Sequence, residues 1–164
     1  MLRGREAIGG ETDIMPLVEL AFSTLVLMCI LFVHGAGTRR VNRHFATSWV
    51  HLRAATSQSR AGALLAVTVF LLIGLHLGET LLWAVPIWIF GLIPNARDSY
   101  YYVLESYTTL GEGAVSLPYN WRLVGPMIAM SGIFTIGWTT GILVGIMSDY
   151  RKLDADQARE AKDR

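Results

Sequence analysis

Sulfur chemistry is the first exclusion. The 164-residue chain has a single cysteine, Cys29, inside an apolar run, and one thiol can neither close an internal disulfide nor build a cysteine-based metal site. Charge is scarce as well: 16% of the residues are Asp, Glu, Lys or Arg, fourteen basic against thirteen acidic, for a formal net charge of +1. That balance lacks the basic excess of a nucleic-acid binder, and no nucleic-acid partner is expected. No internal repeat or low-complexity tract stands out. Beyond His76 and Glu79 there is no convergent nucleophile, base or metal cluster, so neither enzyme activity nor a cofactor is expected. There is no arginine ladder of the voltage-sensing kind, and residues 149–164 hold no ligand-binding domain.

What is abundant is apolar. Hydrophobic residues make up 52% of the chain, the mean hydropathy is +0.41, and the apolar residues are gathered into long blocks. About 20 helical residues rising about 1.5 Å each cross the roughly 30 Å of bilayer hydrocarbon. The first block covers 14–37 and carries no Asp, Glu, Lys or Arg between Ala21 and Thr38. The second runs from Ala61 to Ile93 with one acid, Glu79, and Pro86 and Pro94 predict that it ends or bends near its far interface. Trp83, Trp88 and Phe90 suit an aromatic belt at headgroup level. The third, 123–148, has no charged residue. Three transmembrane helices follow. A cleaved signal peptide is the rival for the first block, but Glu6, Glu11 and Asp13 interrupt its basic start and the apolar stretch is long for that role.

Segment 38–60 carries Arg39, Arg40, Arg43, Arg53 and Arg60 without an acid, whereas 94–122 has only Arg97 and Arg122 as basic residues. The positive-inside rule therefore puts 38–60 and the charged tail 149–164 in the cytoplasm and residues 1–13 outside. The expected location is the cell inner (plasma) membrane. Val41, Phe45, Trp49 and Leu52 recur at helical spacing, which fits a short helix lying in the interface with its arginines on anionic lipid headgroups, or simply a basic loop. The tail reads as a solvated helix extension or a frayed end.

The connection after the second block is rich in Tyr, Thr and Gly. Ser99 to Tyr107 is long enough for a short helix, and Thr108, Thr109, Leu110, Gly111, Glu112 and Gly113 follow. Glycine permits the positive φ values that aim successive carbonyls to one side, and irregular backbone at membrane depth must be buried in protein or line a watery cavity.

In this region the chain resembles the pore module of bacterial potassium channels and their tetrameric pore-loop relatives. The resemblance runs from about Gly62 to Tyr150 and rests on the aromatic pair Tyr101 and Tyr102, on Glu105, on the run Thr108 to Gly113, on Trp121, Arg122 and Leu123, and on Gly132 or Gly137. It implies an all-α pore module, 61–148, of outer helix, re-entrant pore helix with filter, and inner helix, assembled as a homotetramer, plus one extra N-terminal transmembrane helix whose role it does not supply. It also implies a permeant-cation site made by the carbonyls of Thr109, Leu110, Gly111 and Glu112 and the Thr109 hydroxyl, which replace the ion's hydration shell. Tyr101, Tyr102 and Glu105 would support this filter. Gly132 and Gly137 fall near the family's gating hinge, and an interior glycine costs a helix about 1 kcal/mol relative to alanine.

Two positions depart from the family pattern. Glu112 stands where potassium-selective members have an aromatic residue that packs on the pore helix, and Ala114 stands where they have an aspartate that pairs with the glutamate matched by Glu105. Both supports are absent from the sequence, and an acid at the Glu112 position resembles the nonselective members. A weakly selective K⁺ and Na⁺ pore, permeable to or blocked by Ca²⁺, is the expectation, since hard oxygen ligands suit calcium. Three alternatives accompany it: Glu112 pairs behind the filter and potassium selectivity survives, the fold serves as a non-conducting accessory protein, or, least, a membrane enzyme. Glu105 is expected to accept hydrogen bonds from filter amides.

Gly137, Gly141 and Gly145 share a face, as small residues do where membrane helices approach closely. His76 and Glu79 share a face of the outer helix, read as a buried hydrogen-bonded pair ahead of a metal site. Glu19 is isolated in the first span, with His34, Arg122 or a neighbouring subunit as its possible partners. Thr135, Thr139 and Thr140 either line a cavity or bond their own backbone.

Overall fold

The computed structural model describes residues 4–54 and 58–162, and among them every regular element is helical: α1 (Gly4–Ala54), α2 (Gln58–Ile89), α3 (Ala96–Tyr107), a 3-10 turn (Tyr119–Trp121) and α4 (Val124–Lys162). Pro16–Val50, Ser59–Ile89 and Tyr119–Lys152 each contain a stretch long and apolar enough to cross a membrane. The chain has the make-up of a membrane protein with three such helices.

One boundary differs from expectation and two are made more definite. The first span and segment 38–60 are not two elements, because α1 runs through both to Ala54. Its glycines do not stop it: a Cβ on Gly37 would meet Leu75 side-chain atoms at 2.6 Å, so this glycine serves a close approach to α2. The face spaced 34, 38, 45 and 49 is buried, with Phe45 and Trp49 packed on protein instead of lying in an interface. Leu52, and Arg53 beside it, fall outside the residues whose side chains are described.

Neither Pro86 nor Pro94 ends α2. The helix passes Pro86 and stops at Gly91, whose φ is +67°. There Gly91 N–H bonds the Trp88 carbonyl (2.9 Å) and Leu92 N–H bonds the Ile87 carbonyl (3.0 Å), the paired bonds that close a helix on a left-handed glycine. Finally, α4 continues past 148 and takes up the charged tail as far as Lys162, which is the helix extension foreseen as one option.

The chain divides into two compact units, Met1–Val33 with Gly78–Phe134, and His34–Leu77 with Thr135–Arg164. In the first, Trp83, Ile87, Val103, Val124 and Ile128 are fully buried with Leu27, Ile30, Ile93 and Tyr107 around them. Trp83, assigned above to an aromatic belt, is instead a core residue whose indole N–H donates to Ser131 Oγ at 2.9 Å; Trp88 and Phe90 are exposed. In the second unit Phe45 stacks on Trp49 with ring centroids 5.3 Å apart, and Ala61, Leu64 and Ile146 complete a smaller core.

Candidate functional site: the loop after the third helix

Helix α3 is set up by its own sequence. Asn95 caps it, its side chain accepting the Arg97 N–H at 2.8 Å, and Asp98 places negative charge in the first turn, where the helix dipole favours it. The buried face carries Ser99, Val103, Glu105 and Tyr107. Ser99 Oγ donates to the Ile93 carbonyl (3.1 Å), Thr80 Oγ1 to Tyr100 Oη (3.2 Å), and Tyr107 Oη to Glu79 Oε2 (2.8 Å). The helix is thus tied along its length to the end of α2.

After Tyr107 the backbone changes character. Thr109, Gly111 and Gly113 have φ values of 59°, 66° and 72°, while Leu110 and Glu112 between them keep negative φ. A chain whose φ alternates in sign turns successive N–H groups to one side and carbonyls to the other, the arrangement that makes ion-binding concavities from backbone alone. Thr109 is the member that the sequence did not announce. A β-branched residue at positive φ is uncommon, and such strain persists only where the surroundings impose it. Here Thr109 N–H is held by the Ser106 carbonyl (3.0 Å) and Leu110 N–H by the Glu105 carbonyl (2.9 Å).

Two side chains of α3 reach the far end of this loop. Gly113 N–H donates to Glu105 Oε1, so Glu105 does hold a loop amide. Its Oε2 is buried without a hydrogen-bond partner among the described residues, and the methyl side chain of Ala114 can offer none. Tyr101 Oη donates to Glu112 Oε2 at 2.5 Å. Glu112 is thus bound to α3 by a phenol–carboxylate bond. Accepting that bond, Glu112 raises the Tyr101 phenol pKa. Tyr102 lies on the other side, its pKa raised by burial, and its hydroxyl stands 2.6 Å from where a Cβ on Gly125 would be. Thr108, Thr109, Leu110, Gly111, Glu112 and Gly113 are all exposed in the single chain.

The start of α4 is fixed by Glu19, whose Oε1 accepts the Leu123 N–H. Helix N-termini present N–H groups with no partner of their own, and a carboxylate there is favoured by hydrogen bond and dipole together. Glu19 thus has a partner that was not among those considered, a backbone amide 104 residues away, a kind that side-chain pattern reading does not reveal.

The two candidate hinge glycines differ. Gly132 is buried, and a Cβ there would sit 2.0 Å from the Tyr107 carbonyl oxygen, which gives it a packing role beneath the end of α3. Gly137 has open space around it, as do Gly141 and Gly145: among the described residues nothing beyond their own helix lies within 4 Å of where their Cβ atoms would be. His76 and Glu79 belong to different units. Within its own unit each has a defined neighbour: Tyr107 for Glu79, and Thr139 Oγ1, 3.0 Å from His76 Nε2. The same Thr139 hydroxyl is 3.4 Å from His34 Nε2. Thr140 bonds its own helix at the Ile136 carbonyl (2.8 Å).

No protein-family model, curated protein or solved structure matches this chain.

Proposed function

We propose that the chain is the subunit of a passive cation channel in which four copies place their 108–113 loops around one axis, in the inner (plasma) membrane with the N-terminus outside and the C-terminus cytoplasmic. The observation that carries the reading is the alternation of φ from Thr109 to Gly113, anchored at both ends by α3. Rings of backbone carbonyls replace the water of a monovalent cation, and their partial negative charge excludes anions. K⁺ and Na⁺ are the permeant ions, and Ca²⁺ permeates or blocks at the Glu112 carboxylates. Weak selectivity between K⁺ and Na⁺ follows from the acid at 112.

A specific contact favours a second reading. The Tyr101–Glu112 bond ties the outer end of the loop to α3, which supports a potassium-selective pore. Reversal potentials of purified protein in planar bilayers, under opposed K⁺ and Na⁺ gradients, separate the two. A permeability ratio near one supports the first reading and strong potassium preference the second. Absence of flux in liposomes overturns both and leaves a non-conducting accessory protein.

A further inference from the structure

In the second unit a groove of about 450 Å³ opens between α1 and α2, lined by Gly37, Arg40, Val41, His44, Leu71 and Leu75. The α1 residues share a face by spacing, and Leu71 and Leu75 are one turn apart on α2. Gly37 makes the groove possible, since the Leu75 side chain occupies the space that a Cβ would need. Arg40 and His44 are the polar residues of its lining, and α2 carries no Asp, Glu, Lys or Arg from 61 to 78.

The two cationic-type side chains are therefore set against apolar surface: Leu71 is 44% exposed and Phe70 beside it 73%. Segment 38–60 has five arginines and no acid, and among the described residues no carboxylate lies in ion-pair range of Arg40. A ligand that fits must be an anion at one end and hydrocarbon along the rest.

We infer that this groove binds an anionic phospholipid, its phosphate held by Arg40 and His44 and one acyl chain lying along Val41, Leu71 and Leu75. An arginine that faces hydrocarbon gains from a phosphate what water would otherwise provide, and each interfacial cation attracts anionic lipid. Arg39 and Arg43, outside the lining, add only to the general field. The inference rests on the membrane-spanning helices and not on the pore, so it survives if the protein conducts nothing.

Native mass spectrometry of the full chain in mild detergent tests it, with phosphatidylglycerol and phosphatidylcholine of identical acyl chains as probes. Wild type is expected to retain phosphatidylglycerol preferentially. Arg40→Gln lowers that retention about fivefold, the ratio for one interfacial cation, Arg40→Lys restores much of it, and Arg39→Gln leaves it within about twofold. Val41→Trp, which fills the groove without touching a cation, also lowers it. Equal retention of the two lipids, an Arg39→Gln loss as large as that of Arg40→Gln, or unchanged retention in Val41→Trp overturns the proposal. So does displacement of the lipid by an equal concentration of glycerol phosphate, which marks a bare anion site. Loss of the oligomer in Arg40→Gln with lipid retention intact overturns it as well, and makes a second copy of the chain the occupant.

Discussion

The two units are built on different chemistry although the same three long helices run through both. In the unit that contains α3, three buried acids each hold a mobile-prone piece of backbone or side chain: Glu19 the start of α4, Glu79 the end of α3 through Tyr107, and Glu105 the amide of Gly113. In the other, an aromatic stack of Phe45 and Trp49 with a few aliphatic residues makes the core, and the glycine face of α4 is open. Carboxylates that bond backbone amides fix a loop in place, whereas in the second unit the bonds that Thr139 makes with His76 and His34 join helix side chains only. The first unit is thus suited to holding a strained loop, and the second to accommodating movement or a ligand.

That contrast is broken most directly at the glycines. Gly132→Ala places a methyl 2.0 Å from the Tyr107 carbonyl oxygen and is expected to cost about 3 kcal/mol, the upper part of the overpacking range, with loss of any ion flux as α3 is displaced. Gly137→Ala meets nothing and is expected to stabilise by up to about 1 kcal/mol through helix propensity. Thermal unfolding in detergent alongside liposome flux checks both. Equal effects from the two substitutions would remove the distinction drawn between the units.

Trp49→Ala addresses the other side. Trp49 is 9% exposed and touches both Phe45 and Tyr150, and its truncation is expected to cost about 3 kcal/mol, the low end for a buried tryptophan, because helix packing in lipid gains from van der Waals contact more than from the hydrophobic effect. The reversal potential should not move. A change in ion preference from this substitution would show that the loop depends on the second unit.

How much of this could be read from the residues follows the same line. The three apolar helices and the short helix before Thr108 were legible, because hydrophobic blocks and a Tyr-rich polar insert are sums over many residues. Glu105 was legible through its place on that short helix, three residues before Thr108, beside backbone N–H groups that a carboxylate can accept from. The region where α2 ends was legible but its cause was not, since Pro86 and Pro94 are louder punctuation than Gly91, which supplies the left-handed closure. Continuity of α1 through Gly35 and Gly37 was missed because a glycine that stops a helix and a glycine that lets another helix approach look alike in sequence. The partners of Glu19 and Glu112 were hidden for a different reason: each is one contact, made across the fold, with no periodicity to betray it.

Tyr107→Phe is the next test in size. It removes the hydroxyl that bonds Glu79, both groups being buried, and such a hydrogen bond is worth about 0.5–1.5 kcal/mol. The loss should appear in thermal unfolding, and flux should fall because the Tyr107 end of α3 carries the turn into Thr109. An unchanged melting curve would mean that Glu79 finds other support.

The smallest stability effect is expected at Tyr101, and it bears most on function. Tyr101→Phe removes an exposed bond for which water competes, so unfolding should barely shift. Ion preference should change more, since Glu112 is released from α3 and the outer carbonyls lose a tether. The bond also predicts a pH window. Tyr101 has a raised pKa because its neutral phenol donates to the Glu112 carboxylate. A group with a raised folded pKa contributes its stabilisation fully below the ordinary tyrosine value of about 10 and loses it as the pH rises through the folded value. The difference in ion preference between wild type and Tyr101→Phe should therefore stay constant from neutral pH to about 9 and vanish only above about 10. A difference already lost between about pH 7 and 9, well below the range in which this phenol titrates, would place the control of ion preference elsewhere than in the Tyr101–Glu112 bond.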